Sequence, residues 1–448
     1  MSLPLLPTLE ELLHPETQPE SIRDRVAAST DELDPIRLFD MTWRDAGGGV
    51  DSITLPSAMT GVAAPIVVMS GRRFPSGSHK VGPAYSCLRE MILRGEIRPD
   101  GSTLVFPSTG NYGIGGAWVG PRVGFKSLVV LPEEMSAERF EKIRAYGADV
   151  IATPGCESNV KEIYDKVAEL RADANNRILN QFEDFGNYRF HYHVTGGTAV
   201  ELARELGYSG IAAFVSAMGS AGTIAAADRI KAEHAGCRIV GAEPIQCPTL
   251  YNVGYGGHAI EGIGDKHVTW IHNVRNMDML VCIDDQACLE ALQLVQEGHE
   301  TLAEELGLGR GALAHLKDFF GVSGICNVLG AIKTARLYEF GADEPVFTVA
   351  TDSFDRYPSV LERLTANCGP QTEDVARRRI QHFHGADTEW CQEGTMAVRK
   401  RWHNQKYFTW VEQQGKSVEE LNALWEPSFW HALADEIPGL DEATLALR

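Results

Sequence analysis

Lys80 is the residue of this sequence with the clearest potential for covalent chemistry. It lies among small residues in Gly77-Ser78-His79-Lys80-Val81, ahead of the amphipathic segment Pro83–Leu93, which predicts a helix. Burial in a cleft would lower the pKa of such a lysine and free its amine as a nucleophile that forms an imine with a carbonyl compound. A loop lysine on the surface is the ordinary alternative, and three other segments argue against it.

The first of these is Gly219-Ser220-Ala221-Gly222-Thr223, which follows a predicted strand and opens a predicted helix. Backbone N–H groups in such a turn point at one spot, and the helix dipole favours an anion there. The hydroxyls of Ser220 and Thr223 can add donors, so a phosphate is the expected ligand. No G-x-x-x-x-G-K-[ST] pattern is present, which argues against a P-loop nucleotide hydrolase. An ordinary Gly/Ser turn is the competing interpretation.

Two further polar segments each follow a predicted strand. Asn111 lies in Ser108-Thr109-Gly110-Asn111-Tyr112-Gly113, and Ser353 lies in Asp352-Ser353-Phe354-Asp355-Arg356-Tyr357. Open α/β sheets bind ligands at the ends of their strands. The Asn111 amide could donate a hydrogen bond to an oxygen on the ring of a ligand, and Ser108 and Thr109 could bind the carboxylate of a ligand. Taken alone, these residues would be a turn asparagine and a helix-capping serine.

Strands and helices alternate along most of the chain. Helices of this length between apolar strands predict an α/β fold with parallel sheets covered on both faces. The Pro-rich residues 1–45 predict an arm with one or two short helices, and the Trp-rich residues 361–448 predict an appended helical segment. The predicted strands are 104–107, 127–132, 149–154, 211–216, 238–242 and 344–350.

Composition narrows the functional class. The chain has 448 residues, with 41 Lys and Arg against 61 Asp and Glu, which gives a formal charge of −20. An acidic surface repels nucleic acid and anionic membranes, so we expect neither as a partner. The nine cysteines are scattered without a C-x-x-C pair, and we predict no metal site. The start of the chain lacks a basic, then apolar leader pattern, so the expected location is the cytoplasm.

Together, the four segments resemble the fold type II pyridoxal phosphate (PLP) enzymes, in particular the O-acetylserine sulfhydrylase and cystathionine β-synthase branch. That branch carries S-x-K, T-S-G-N-T-G, G-T-G-G-T and S-G-E-R-Y, which here read S-H-K, S-T-G-N-Y-G, G-S-A-G-T and S-F-D-R-Y. Gln181-Phe182 with Thr195-Gly196-Gly197-Thr198, and Gly262-Ile263-Gly264, resemble two further family segments. The likeness covers about residues 50 to 360.

The resemblance implies a fold and a set of residue roles. The fold would have two parallel-sheet α/β domains with PLP between them: a discontinuous large domain over 46–90 and 191–360, and a small mobile domain over 91–190. Lys80 would hold PLP and move the α-proton, while Asn111 would bind the ring oxygen. The remaining implied roles are phosphate binding by Gly219, Ser220, Ala221, Gly222 and Thr223, contact with the pyridine nitrogen by Ser353, and substrate binding by Ser108, Thr109, Tyr112 and Gln181.

The implied activity is β-replacement or β-elimination on a small L-amino acid of the cysteine or serine type, through an aminoacrylate intermediate. A neutral hydroxyl at the pyridine nitrogen makes PLP a moderate electron sink, which suits loss of a β-substituent better than transamination. Two alternatives stay open: a deaminating lyase for serine, threonine or diaminopropionate, and a non-catalytic regulatory subunit. Tyr112 and Ala221 depart from the Thr and Gly of the family, which leaves the substrate undetermined. A homodimer is expected by analogy.

Overall fold

A computed structural model describes residues 3–99, 101–108, 110–155 and 160–448. Strands and helices alternate in it, as the sequence predicted. The strands are β1 (Ser52–Leu55), β2 (Ile66–Ser70), β3 (Thr103–Pro107), β4 (Lys126–Pro132), β5 (Asp149–Thr153), β6 (Asn176–Ile178), β7 (Ala213–Ala217), β8 (Arg238–Pro244), β9 (Met279–Ile283), β10 (Val346–Ala350) and β11 (Cys391–Glu393).

Two sheets organise these strands. Across the described residues, the larger sheet has seven strands in the order β1-β2-β10-β7-β8-β9-β11, and the smaller has four in the order β5-β4-β3-β6. All pairs of the smaller sheet are parallel. In the larger sheet, β2, β10, β7, β8 and β9 run parallel, and β1 and β11 flank them in antiparallel orientation. The carboxyl ends of the parallel strands therefore meet at one edge.

Helices cover the sheets. They are α1 (Leu9–Leu13), α2 (Glu20–Ala28), α3 (Ser57–Thr60), α4 (Val81–Leu93), α5 (Asn111–Val123), α6 (Ala137–Ala145), α7 (Val160–Leu170), α8 (Phe185–Phe190), α9 (Gly196–Glu205), α10 (Ala225–Glu233), α11 (Thr249–Asn252), α12 (Asp285–Glu297), α13 (His299–Leu306), α14 (Arg310–Leu316), α15 (Val322–Leu337), α16 (Pro358–Cys368), α17 (Glu373–Arg379), α18 (Gln381–His384), α19 (Met396–Lys406), α20 (Val418–Ala423), α21 (Pro427–Asp435) and α22 (Ile437–Leu445).

Burial explains the composition of the central strands and of α15. Every residue of β2, β9 and β10 is buried, and their sequences are almost continuously apolar, as expected for parallel strands covered on both faces. Helix α15 is largely apolar because it packs against β7, β9 and β10 in the interior. The first turn of α15 reaches the same edge as the carboxyl ends of β7 and β10.

The terminal segments pack on this core. The arm contains α1 and α2, and Thr8 and Glu11 form a capping box that starts α1. The C-terminal segment is helical, as predicted, but it also supplies β11, whose Cys391 pairs with Val281 of β9. The sequence pattern gave no sign of this short strand. Trp402, Trp410 and Trp430 are buried, and each donates its indole N–H to a backbone carbonyl.

In the part of the chain that the structure describes, no helix is both long and apolar enough to cross a membrane.

Candidate active site

A cavity lies at the carboxyl ends of β7 and β10, beside the turn that follows β2. It brings Lys80 together with the Gly219–Thr223 loop, two segments that are far apart in the sequence. The strand ends, the Gly262 turn and the start of α15 complete its wall. Its lining residues are Lys80, Ser216, Ala217, Gly219, Ala221, Thr223, Gly262, Ile263, Ser323, Asn327, Val349 and Thr351.

Lys80 is held in this cavity by a fixed turn. Its side chain is buried, with an exposed fraction of 8%, and Nζ donates a hydrogen bond of 3.3 Å to Oγ of Ser220. The N–H of His79 donates to the carbonyl of Thr351 at the end of β10 (3.2 Å). Nη1 of Arg356 donates to the carbonyl of Gly77 (2.8 Å). The Lys80 amine therefore lies beside the Gly219–Thr223 loop, and its role as a nucleophile stays a prediction.

The loop after β7 leaves no room for larger residues at two positions. A Cβ on Gly222 would lie 2.0 Å from Oδ1 of Asn187, and a Cβ on Gly219 would lie 2.8 Å from the carbonyl oxygen of Gly262. Ala221 has a φ of 59°, a left-handed conformation that costs a non-glycine residue about 1–2 kcal/mol. This conformation explains why a glycine was expected at position 221. The loop leads into α10, whose N-terminus favours an anion.

Two buried histidines adjoin Lys80. The rings of His79 and His191 pack edge to face with centroids 4.8 Å apart. Burial, together with the charge of Lys80, holds both pKa values well below the usual range, so both rings are neutral. Nε2 of His79 lies 3.2 Å from Oγ1 of Thr223, which fixes the threonine hydroxyl at the loop. Among the described residues, no group of three or more His, Cys, Asp or Glu is placed to hold a metal.

The asparagine segment lies at the start of α5. Oγ of Ser108 accepts hydrogen bonds from the N–H groups of Gly110 (2.9 Å) and Gly113 (2.7 Å), so this hydroxyl caps the helix. Asn111 is buried, and its Nδ2 donates to Oδ2 of Asp352 (2.6 Å). The predicted substrate contact Thr109 lies outside the described residues.

Ser353 does not line the cavity. Its side chain is half-buried, and its hydroxyl donates to Oδ1 of Asp355 (2.9 Å). The neighbouring Asp352 is buried instead, because successive side chains in extended backbone point in opposite directions. The contact of Ser353 with a ring nitrogen therefore stays a prediction.

Ser323 is a serine that lines the cavity, in contrast to Ser353. It lies in the first turn of α15 with an exposed fraction of 3%, and it lines the cavity with Lys80. Its hydroxyl has no hydrogen-bond partner among the described residues, which is unfavourable for a buried polar group unless a ligand completes it. The available signal was the Gly321-Val322-Ser323-Gly324 turn that opens an apolar helix.

Tyr112 and Gln181, two predicted substrate contacts, lie in different surroundings. Tyr112 is buried in the core with its ring 5.9 Å from that of Phe106, and like Ser108, Asn111 and Gln181 it is not among the residues that line the cavity, so its substrate contact stays a prediction. Gln181 is buried beside the loop. Its carbonyl accepts a hydrogen bond from Nδ2 of Asn187 (2.9 Å), which also donates to Oγ of Ser220 (3.0 Å).

Asp265 is a buried carboxyl group that the sequence analysis did not include among the site residues. It follows Gly264 and has an exposed fraction of 5%, and neither carboxylate oxygen has a hydrogen-bond partner in the described part of the chain. Burial raises its pKa to about 7, and the charge of Lys80 partly opposes this shift. It borders a second cavity that shares Gly219 and Ala221 with the first.

These residues fit the cofactor that the resemblance implied. A buried primary amine suits an aldehyde, the loop before α10 suits a phosphate, and the unpartnered Ser323 hydroxyl suits a ring nitrogen. A neutral hydroxyl leaves such a nitrogen unprotonated, as argued above for the predicted serine.

Comparison with known proteins gives three further findings. The family model described as pyridoxal-phosphate dependent enzyme matches residues 53–350, well over half of the chain. A cysteine synthase of Staphylococcus aureus is 29% identical over 313 residues, which cover 70% of this chain and 93% of the relative. The arm and the C-terminal extension fall largely outside the family match.

Solved structures agree with this family match. A hydrogen sulfide-producing enzyme from Fusobacterium nucleatum is 26% identical with a TM-score of 0.58, covering 70% of this chain and 88% of its own. An O-acetylserine-dependent cystathionine β-synthase from Helicobacter pylori is also 26% identical with a TM-score of 0.58, covering 69% and 94%.

Proposed function

Because the chain belongs to the family of pyridoxal-phosphate-dependent enzymes, we propose that it catalyses β-replacement or β-elimination on a small L-amino acid of the serine or cysteine type. One observation carries this proposal: Lys80, the anion-binding loop and the unpartnered hydroxyl of Ser323 line the same buried cavity. The similar cysteine synthase and the two similar solved enzymes support the choice of substrate class.

Each residue has a role that its position supports. PLP supplies an electron sink conjugated with the amino group of the substrate. The Lys80 amine holds the cofactor and then accepts the proton from the α-carbon of the substrate. The N–H groups of Gly219–Thr223 bind the phosphate, with Ser220 and Thr223 as hydroxyl donors. Ser323 is proposed to face the ring nitrogen, and Asn111 the ring oxygen.

Substrate binding is proposed for the segment at the start of α5. Ser108, Gln181 and the N–H groups of this turn that do not already donate to Ser108 are proposed to hold the carboxylate of the amino acid. Thr109 remains a prediction. Since Tyr112 is packed against Phe106, it shapes this region through the core.

The residue at the ring nitrogen distinguishes the proposed loss of a β-substituent from transamination. A hydroxyl donates a hydrogen bond to an unprotonated nitrogen, whereas a carboxylate would accept one from a protonated nitrogen and stabilise its charge, so with a hydroxyl the electron sink stays moderate. Loss of a leaving group from Cβ requires only this moderate stabilisation. A substrate with a good β-leaving group is therefore favoured over one that must exchange its amino group.

The test is a spectral titration of the purified protein with L-cysteine, L-serine, O-acetyl-L-serine and the D-forms, followed by pyruvate and sulfide assays. The proposal expects a visible band from the lysine-bound cofactor that changes with one L-substrate. Lys80→Ala should abolish this band, while Lys333→Met, at a buried lysine outside the cavity, should keep it. A protein that cannot be reconstituted with PLP would refute the proposal.

The product distinguishes the two reactions. Accumulating pyruvate would identify β-elimination, and a spectral change that persists until a thiol is added would identify β-replacement. A response to only another β-substituted amino acid, such as diaminopropionate, would replace the proposed substrate class with the alternative one.

A further inference from the structure

Asn111 is held from two sides by charged residues. Its Nδ2 donates to Oδ2 of Asp352 (2.6 Å), and its Oδ1 accepts from Nη1 of Arg139 (3.1 Å). Tyr357 closes the ring, because its hydroxyl donates to Oδ2 of Asp352 (2.9 Å) and accepts from Nη2 of Arg139 (3.0 Å). All four side chains of this ring are buried.

This ring admits only one orientation of the Asn111 amide. A guanidinium group only donates hydrogen bonds, and a carboxylate only accepts them. Oδ1 must therefore face Arg139, and Nδ2 must face Asp352. One hydrogen of Nδ2 is used by Asp352, so the second has a defined direction in which it can donate to a ligand. The network thus specifies the donor that the proposed function assigns to Asn111.

Arg139 also joins the two sheets. It lies on α6, beside the four-stranded sheet, and its Nε donates to Oε2 of Glu261 (2.8 Å). Glu261, Asp352 and Tyr357 lie on segments that follow strands of the seven-stranded sheet. The guanidinium is completely buried between them, with an exposed fraction of 0%. The approach of the sheets and the orientation of Asn111 therefore depend on the same side chain.

The backbone is shaped around this guanidinium. Gly110 has a φ of 147°, and a Cβ at this position would lie 2.5 Å from Nη1 of Arg139. Removal of Arg139 would leave Glu261 as a buried carboxylate without its paired cation, which is strongly unfavourable. A lysine could balance the charge, but it lacks the planar fork that reaches three acceptors at once.

We propose that Arg139 is a positioning residue that orients Asn111 toward the cofactor and couples this orientation to contact between the two sheets. The proposal rests on the proposed function only in assigning a cofactor contact to Asn111. The geometry of the ring itself is independent of the reaction.

The test compares Arg139→Gln, Arg139→Lys and the milder Tyr357→Phe with Arg89→Gln. Arg89 is an equally buried arginine, paired with Asp441 (2.6 Å), and it does not contact Asn111. The readouts are cofactor affinity, the absorption maximum of the lysine-bound cofactor, and hydrogen exchange of the backbone amides of residues 110–114 in the cofactor-free, full-length chain.

We expect Arg139→Gln to weaken cofactor affinity about tenfold, the effect of one lost charge-assisted hydrogen bond, and to shift the absorption band as Asn111→Ala does. Arg139→Lys should give an intermediate shift, and Tyr357→Phe a smaller one in the same direction. Exchange at residues 110–114 should become faster in the Arg139 variants. Arg89→Gln should leave the band and the exchange of these amides unchanged.

The double variant Arg139→Gln/Asn111→Ala decides whether Arg139 acts through Asn111. The inference expects it to match Asn111→Ala alone in affinity and in the absorption band. Independent, multiplying effects would overturn it, as would an Arg139→Gln protein with an unchanged band and unchanged exchange. If the wild type binds no PLP, the proposed function fails, while the exchange measurement still supports or overturns the inference.

Discussion

Nζ of Lys80 lies 3.3 Å from Oγ of Ser220, although 140 residues separate them in the chain. This contact places the amine of Lys80 beside the Gly219–Thr223 loop, which precedes α10. A ligand with its aldehyde at Lys80 and its phosphate at this loop would therefore follow a short, buried path between the two segments. The fold of the larger sheet creates this path, because β2 and β7 both flank β10.

Ser323 and Ser353 provide a matched pair of substitutions. Ser323→Ala should weaken cofactor affinity and turnover about tenfold, because it removes the unpartnered hydroxyl of the cavity. Ser353→Ala should change both by less than about twofold, since its hydroxyl contacts Asp355 instead. Equilibrium binding of PLP and steady-state kinetics measure the two effects. A larger effect at Ser353 would support the original sequence prediction.

Gly222→Ala should damage the loop. The new Cβ would lie 2.0 Å from Oδ1 of Asn187, which is itself held by hydrogen bonds to Gln181 and Ser220 and cannot move freely. Overpacking of this kind costs about 1–3 kcal/mol in the free energy of unfolding. Chemical denaturation and PLP titration should both report the loss. Gly236→Ala, where no atom lies within 4 Å of the added Cβ, is the control and should have neither effect.

Asp265 should make stability depend on pH. Burial raises its pKa from the ordinary 3.8 to about 7, so the folded state binds the proton more tightly than the unfolded state. Asp265 therefore makes its full contribution to the free energy of unfolding below about pH 4. This contribution is lost as the pH rises to about 7, at up to about 1.4 kcal/mol per pH unit.

Asp265→Asn removes this titration. The stability of the cofactor-free variant relative to wild type should increase between pH 4 and pH 7 and stay level above pH 7. Urea denaturation at a series of pH values gives the comparison, with Asp343→Asn at an exposed position as the control. A stability difference that is the same at every pH would show that the pKa of Asp265 does not differ between the folded and unfolded states.

Asp441 should be important for docking the C-terminal extension. Its carboxylate accepts hydrogen bonds from the N–H groups of Leu9 and Glu10, both at 3.0 Å, and from Arg89 at 2.6 Å. It therefore caps α1 and neutralises a buried arginine of α4. Asp441→Ala should lower the free energy of unfolding by about 3–5 kcal/mol, the usual cost of breaking a buried ion pair. Glu442→Ala, next to it and exposed, should be neutral by the same denaturation assay.

Local sequence determined several features of this protein. The Gly77–Val81 turn, the Gly219–Thr223 loop and the Asn111 turn are short segments whose composition specifies their backbone and their chemical groups. The alternation of apolar strands with helices likewise specified parallel sheets, because each pattern depends on residues close together in the chain. These local patterns were sufficient to predict the α/β fold, and the family resemblance that they carry implied the cofactor and its attachment to Lys80.

The tertiary structure decided which distant side chains meet. Ser323 lies in a mostly apolar helix, and only the position of α15 against β7 and β10 brings its hydroxyl, with Asn327 one turn further along, to the cavity. Ser353 looked suitable because it follows a strand, but the alternation of side chains directs Asp352 inward instead. Arg139 has the sequence context of a solvent-facing helix residue, and it is buried because contact between the two sheets encloses it. Such contacts depend on packing between segments far apart in sequence, which local propensity does not encode.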